Sequence, residues 1–498
     1  MSMVFDEIPS DWLEPSTLIE IKANYSQTGV LPYPDKALII GQKLATGTLA
    51  PGSFVQVTRP EEAIAYFGLG SIGAEQVAAF RKANKTTPLF VTAVADAGGA
   101  VKATGTMTFT GTVPVATVLR FKIAGRDIRF TALPTDTATT MATKLAAAVN
   151  ADTACVVTAA SALAVVTYTA RSGGEVGNDI NLRVNTKAQP IPSGLTITTV
   201  AMANGAGNPV LQTVLDAIAN TWFTKITHPW SDATNIAAFA EFLRVRYLAT
   251  SKLDAHGFVA KAGTFGQLGT LGALTNNAFL TVMGLNNSPT SSWNLAASGC
   301  GLASFHLNND PARQLRSLVL PGVEAPDEVD QFDDTEKDLL LRTGISTFDH
   351  LSDGSTTISR MITTYKMTPL GVSDRAWLDI MVPATMSRIR FDWAAYVSLL
   401  YPRAKLVADD SIAALASNYD DDGKVNTAIV TPSRMKASWA ARCKLYGENR
   451  AWIQNTTATV KQSTFAISDD DKNRLEGRPI VNIVGNLMVF AQSLEFLA

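Results

Sequence analysis

The sequence predicts a multidomain chain of α/β and α+β class, with an inserted β-rich α+β domain, a C-terminal α+β domain and extended terminal arms. Three observations carry this. Short apolar strands alternate with helix patterns on both sides of residues 97–205, the rhythm of a parallel-type sheet. Residues 97–205 are themselves rich in Thr, Ala, Val and Gly and poor in charge. Both chain ends carry β-like segments that lie outside any domain. The length of 498 residues fits three or four domains at about 100–200 residues each.

The elements follow in order. Residues 1–30 read as an arm, punctuated by Pro9 and Pro15, with Pro32 and Pro34 just beyond. Within it 17–22 (TLIEIK) alternates apolar and polar residues like one short strand. A lone strand must borrow a sheet edge, from its own chain or a neighbour's. A discontinuous α/β domain is then expected over 31–96 and 206–374. Its first strands are 36–41 (KALIIG), 55–58 (VQVT) and 89–95 (LFVTAVA). Pro60 opens a helix at a first-turn position, with Glu61 and Glu62 at its positive end. A second helix covers 74–84. In the insertion, 97–205, the segments 104–112, 118–123 and 164–170 have β character, and 140–150 (TMATKLAAAVN) is a helix. The α/β rhythm resumes with a helix over 210–220, a strand over 222–227 and a helix over 232–244 capped by Asp232. Further strands are expected over 256–260, 278–284 and 317–320. A C-terminal domain spans 375–479, with helices over 385–400 and 432–446 and a turn at 420–424 (DDDGK). The last segment, 480–498, is a β arm. Residues 24–34 and 474–479 are the expected linkers.

Charge and cysteine use narrow the function classes. Lys plus Arg is 42 and Asp plus Glu 44, a net charge of −2. That balance argues against a nucleic-acid binder working by bulk charge. A hydrophobic fraction of 46% with 17% charged residues excludes a disordered polyelectrolyte. Cys155, Cys300 and Cys443 are far apart and form no CxxC, so neither a metal knuckle nor a disulfide framework is expected. The N-terminus has no signal-peptide pattern, and no run of 18 apolar residues spans a membrane.

The candidate chemical sites each have a simpler explanation. Gly68-Leu69-Gly70-Ser71-Ile72-Gly73 matches G-x-G-x-x-G, but the preceding segment is helical and no acid follows at the ribose position. It reads as a connection between two helices. His228, in THPWSD, follows a strand, where α/β proteins place functional groups. It anchors the rival reading, an α/β hydrolytic enzyme, although a lone His is more often structural. Asp349-His350 and Asp353-Gly354-Ser355 suggest a serine hydrolase only superficially, since no G-x-S-x-G is present. Turn chemistry explains them. The acidic run 324–338 lacks the D-x-D-x-D-G calcium pattern and reads as a solvated loop entering a helix near Thr335. No catalytic, metal or cofactor-binding residue is assigned, and no cofactor is expected.

Two features point to assembly instead. On the helix over 432–446, Met435, Trp439, Cys443 and Tyr446 share one face at about 100° per residue. Arg434 and Lys444 lie opposite, Lys436 and Arg442 flank the stripe, and no acid occurs. This is a basic amphipathic helix suited to an acidic partner. The second feature is the pair of β-like ends, which either pair within one molecule or exchange between subunits.

Ordered stretches then carry a resemblance. They are Ile8-Pro9-Ser10, 63–71 (AIAYFGLGS), 142–150 (ATKLAAAVN), 173–185 (GGEVGNDINLRVN), THPWSD, 310–320 (DPARQLRSLVL) with Pro321-Gly322-Val323, 344–347 (GIST), 359–365 (SRMITTY), 401–410 (YPRAKLVADD) and 486–497 (NLMVFAQSLEFL). Their order resembles tail sheath proteins of contractile-tailed bacteriophages, of the Mu-like type, over nearly the whole chain. The resemblance implies a middle α/β domain of subtilisin-like topology without the protease triad. The insertion faces outward, the C-terminal domain faces the tail tube, and the arms exchange strands with neighbours.

The implied function is mechanical and not enzymatic. The chain polymerises as stacked hexameric rings around a tail tube and contracts to drive that tube through the host envelope. Its partners are itself, the tube protein, and baseplate and terminator proteins, with no direct nucleic acid and no membrane insertion. It belongs in the virion tail, assembled in the host bacterial cytoplasm. A phage-tail-like bacteriocin or injection system shares the same physics. Arg434, Lys436, Arg442 and Lys444 are the expected tube-docking cations, with a helix near Arg388 and Arg390 as a second surface. Leu18, Ile19 and Ile21, with Leu494, Phe496 and Leu497, are the expected strand-exchange residues.

Overall fold

A computed structural model describes residues 14, 15, 17, 29–415 and 429–496. The chain is a mixed α/β protein that divides into two compact units. The large unit is Pro34–Ile389 with Ile483–Ala498, and the small unit is Met1–Tyr33 with Arg390–Asn482.

Among the described residues the large unit's main sheet has nine strands. Its order is Val319–Glu324, Ser355–Arg360, Ile345–His350, Leu280–Leu285, His256–Ala262, Lys225–Thr227, Ala37–Gln42, Leu89–Val94 and Phe54–Val57. The run from Ile345–His350 to Leu89–Val94 is parallel throughout. The edge strands are antiparallel. Ala37–Gln42 and Leu280–Leu285 are buried at every position, as expected of parallel strands covered on both faces. Leu38, Ile40, Ile226, Val259 and Val282 face one core with Phe239 and Leu243. Ala37, Ile39, Phe258, Ala260 and Met283 face the other.

That second core is filled by helix Ser292–Asn309, which the sequence pattern did not reveal. Its segment SGCGLAS combines glycines and serines of weak helix propensity. The structure explains them by close approach. A Cβ on Gly299 would meet Met283 Sδ at 2.7 Å, and one on Gly301 would meet the Phe80 carbonyl at 2.9 Å. Other expected elements are shorter than read. The helix over 210–220 is reduced to Gln212–Ala217, and the strand over 222–227 to Lys225–Thr227.

Between Leu89–Val94 and Lys225–Thr227 the chain builds two antiparallel sheets. One orders Leu195–Ala203, Thr104–Gly111, Val165–Ala170 and Val157–Ala162. The other orders Arg126–Ala132, Thr117–Ile123 and Leu182–Val184. Helix Ala138–Ala151 contributes buried Leu145 and Val149 to a core with Met107, Phe109, Phe121 and Tyr168.

In the small unit, helix Pro432–Lys444 starts at Thr431, whose side chain accepts from the Arg434 N–H, with Pro432 in the first turn. Met435, Trp439, Cys443 and Tyr446 are all buried, as the apolar stripe requires. Helix Thr456–Gln462 is followed by an antiparallel hairpin of Thr464–Ile467 and Leu475–Arg478. Residues 474–479 are therefore mostly a strand and not a linker. Ladder hydrogen bonding holds them, a partner that a charged, glycine-containing segment does not advertise. Residues 484–496 carry neither helix nor strand within this chain. The expected strand 17–22 (apart from Thr17) and the expected turn 420–424 lie outside the described residues.

Candidate interaction surfaces

The enzyme-like features resolve into scaffold. His228 is fully buried, with its ring stacked at 5.9 Å on Trp230 and edge-on to Phe239 at 4.5 Å. Burial pushes its pKa down to about 3, so the imidazole is neutral near pH 7. Asp232 serves as an N-cap, accepting from the Asn235 N–H. No group of three or more His, Cys, Asp or Glu side chains able to hold a metal occurs among the described residues.

The glycine run joins helix Pro60–Phe67 to helix Ile72–Ala83, with Ser71 as the cap of the second. A Cβ on Gly41 would meet Gly73 Cα at 2.6 Å. These two glycines let the helix press against its strand, a packing role and not a phosphate cradle. Asp353 accepts from the Ser355 N–H at 2.8 Å and from its hydroxyl at 2.6 Å. This is the turn between Ile345–His350 and Ser355–Arg360.

The acidic run is not merely solvated. Lys122 pairs with Glu324 at 2.6 Å, and Arg183 with Asp327 at 3.0 Å. Asp333 and Glu336 form a capping box on helix Asp334–Thr343. Part of the run therefore ties cations from the 97–205 segment to the sheet unit. Lys261 adds a bond to Asp179 at 2.7 Å. Sequence reading missed these pairs because the partners are far apart along the chain.

The basic helix is reorganised by its tertiary contacts. Lys444 is exposed and lies 3.8 Å from Glu448. Lys436 and Arg434 are half-buried, and Arg434 Nη1 donates to the Ile429 carbonyl at 2.6 Å. Arg442 departs from expectation. Its side chain is 3% exposed and pairs with Asp392, which is 0% exposed. A guanidinium held inside the unit offers nothing to an external surface, so Arg442 is corrected from docking cation to interior ion pair. Burial alone would lower its pKa. The hydrogen bonds and charge of Asp392 and Tyr446 outweigh that, and the net shift is upward. On the second candidate surface, Arg388 donates to the Asn308 carbonyl at 2.6 Å and Arg390 is half-buried.

The C-terminal segment is anchored and then exposed. In the large unit, Gln314 N–H donates to Asn486 Oδ1 at 3.2 Å, Asn486 Nδ2 to the Ala312 carbonyl at 3.0 Å, and Arg316 Nη1 to the Met488 carbonyl at 3.0 Å. Beyond this point Val489, Phe490, Leu494 and Phe496 are 76–89% exposed. Leu18, Ile19, Ile21 and Leu497 lie outside the described residues. No helix among the described residues is long and apolar enough to cross a membrane.

No family model matches the chain. A curated relative does: the Mu-like prophage FluMu tail sheath protein of Haemophilus influenzae is 29% identical over 500 residues, covering 100% of both chains. The sheath tail protein of Listeria innocua is 12% identical, with a TM-score of 0.48 over 91% of this chain and 92% of that one. A chain from the anti-feeding prophage baseplate in its contracted state shares the fold, with a TM-score of 0.51 at 10% identity over 96% of this chain and 97% of that one. The resemblance carried by the ordered sequence stretches is thus matched by a relative of equal extent, and the chain is similar from end to end to a Mu-like prophage tail sheath protein.

Proposed function

We propose that this protein is a structural tail sheath subunit and not an enzyme. It polymerises as stacked hexameric rings around a tail tube, and its contraction drives the tube through the host envelope. The observation that carries this reading is the end-to-end relation to a Mu-like prophage tail sheath protein. The buried, neutral His228 supports it by removing the hydrolase's only anchor. The large unit acts as the sheath core of subtilisin-like topology, the 97–205 domain faces outward, and the C-terminal domain faces the tube. Partners are other copies of the chain, the tube protein, and the baseplate and terminator proteins. The place of action is the virion tail, after assembly in the host bacterial cytoplasm.

Two surfaces serve this role. Residues 489–496 expose Val489, Phe490, Leu494 and Phe496, apolar groups that need cover. The two-stranded hairpin of Thr464–Ile467 and Leu475–Arg478 pairs with no third strand among the described residues and would be marginal alone. Strand exchange supplies both needs: the tail of one copy extends the hairpin of another. Residues 1–30, including Leu18, Ile19 and Ile21, act as the second exchange arm. Lys444, with the half-buried Lys436 and Arg434 beside it, docks on an acidic tube; surface ion pairs are worth about 0–1 kcal/mol each and multiply over many subunits.

Negative-stain electron microscopy of the purified chain tests the proposal. Hollow striated tubes or rings are expected. Dispersed monomers at high concentration, both alone and with tube protein, would overturn it.

A further inference from the structure

The small unit spends a buried ion pair on one short stretch of main chain. Asp392 Oδ2 accepts from Arg442 Nε at 2.9 Å and from the Tyr446 hydroxyl. The other carboxylate oxygen, Oδ1, accepts from the Leu31 N–H at 2.8 Å. The Arg442 guanidinium also reaches the Gly29 carbonyl, at 3.4 Å from Nη2. Arg442 lies over the Tyr396 ring at 4.8 Å, and Tyr33 packs edge-on against Phe391 at 5.3 Å.

A pair so enclosed is not explained by stability. Apolar groups of similar size generally serve a packed interior as well or better, and buried ionic groups are best attested as devices that fix one arrangement. Here both charged groups address backbone groups of the same stretch, residues 29–31. Recognition of backbone is indifferent to side-chain identity, so what it specifies is position.

We propose that Asp392 and Arg442 are positioning residues that clasp the main chain at Gly29 and Leu31, fixing the point at which residues 1–28 are joined. The clasp does not depend on what those residues do. Its consequence for assembly rests on the reading of residues 1–30 as an exchange arm. A donated strand finds its acceptor only if its root is held, because a free root spreads the strand over a larger volume and lowers its effective concentration.

The test uses the full chain. The double variant Asp392→Leu/Arg442→Met replaces the pair with apolar groups and keeps the helix packing. Leu31→Pro removes the N–H donor, together with the leucine side chain and the freedom of φ, but keeps both charged residues, so with Leu31→Ala as its side-chain control it decides the matter should the double variant fail to fold. Gly29→Ala is the control, since a Cβ there meets nothing within 4 Å. Amide hydrogen exchange is read over 29–33 and, separately, over 435–446. Exchange over 29–33 should rise at least tenfold in the folded double variant and also in Leu31→Pro, with 435–446 unchanged. Both variants should fail to form regular tubes, while Gly29→Ala assembles normally. Unchanged protection over 29–33 would overturn the clasp, and normal tubes from a variant that has lost that protection would overturn its consequence for assembly. Deletion of residues 1–28 separates the two ideas. Normal tubes from that deletion defeat the exchange-arm reading and leave the exchange result on the clasp standing.

Discussion

Arg442 and Asp392, 50 residues apart in sequence, form an ion pair with side chains 3% and 0% exposed. The Tyr446 hydroxyl donates to the same Asp392 carboxylate, and the Arg442 guanidinium lies over the Tyr396 ring, so the two charges are enclosed on the buried side of helix Pro432–Lys444. Removing one partner strands the other without solvent, which typically costs about 3–5 kcal/mol. Asp392→Ala should therefore destabilise the small unit by that order. Denaturant unfolding followed by tryptophan fluorescence, with Trp439 and Trp452 both buried, reads the effect. A loss below about 1 kcal/mol would contradict the assignment of Arg442 to the interior.

Deleting residues 494–498 should leave the fold intact and abolish polymerisation. Leu494 and Phe496 are 89% and 87% exposed, so their loss removes little folded-state packing, and unfolding midpoints should match the parent. Sedimentation and electron microscopy would then show subunits without tubes. Long tubes from this truncation would defeat tail exchange.

Reversing the exposed charge of the basic helix should weaken tube docking without affecting self-association. Lys444→Glu is the cleanest change, because Lys444 is exposed and its ion pair with the also exposed Glu448 is long, at 3.8 Å. Each exposed pair contributes about 0–1 kcal/mol, so the shift per subunit is small, and it should shrink further in high salt. Co-sedimentation with tube protein across salt concentrations measures it. An unchanged binding curve would remove this face from the docking surface.

His228 makes the large unit sensitive to acid. Burial holds its folded pKa at about 3, below the ordinary value of 6.5, so the unfolded chain binds the extra proton between these limits. The stability associated with the neutral ring is complete above about pH 6.5 and is lost as pH falls toward 3. Between pH 7 and pH 4.5 the loss from this residue is about 2–3 kcal/mol. His228→Phe should flatten that part of the pH–stability profile. Equal slopes in parent and variant would show that His228 is not the group responsible.

Gly41→Ala should destabilise the large unit by about 1–3 kcal/mol, the usual range for overpacking. The new Cβ would sit 2.6 Å from Gly73 Cα, a backbone atom with no rotamer to yield. A neutral result in thermal unfolding would mean that the helix–strand contact is looser than described.

Much of this protein was legible from local pattern. Continuous apolar runs marked Ala37–Gln42 and Leu89–Val94, because a strand covered on both faces has no polar side. The cap at Asp232, the stripe from Met435 to Tyr446 and the ordered family stretches needed no partner to be seen. Helix Ser292–Asn309 was hidden because its glycines serve the close approach of Met283 and Phe80, neighbours that exist only after folding. The hairpin at Leu475–Arg478 was hidden likewise, since its ladder is made with Thr464–Ile467. Arg442 shows the limit most clearly. By itself the sequence determined that this residue flanks an apolar face on a basic helix. Only the tertiary structure decided that it turns inward, because a charge is buried or solvated according to whether a distant chain segment brings it a partner, here Asp392, and that choice is not local.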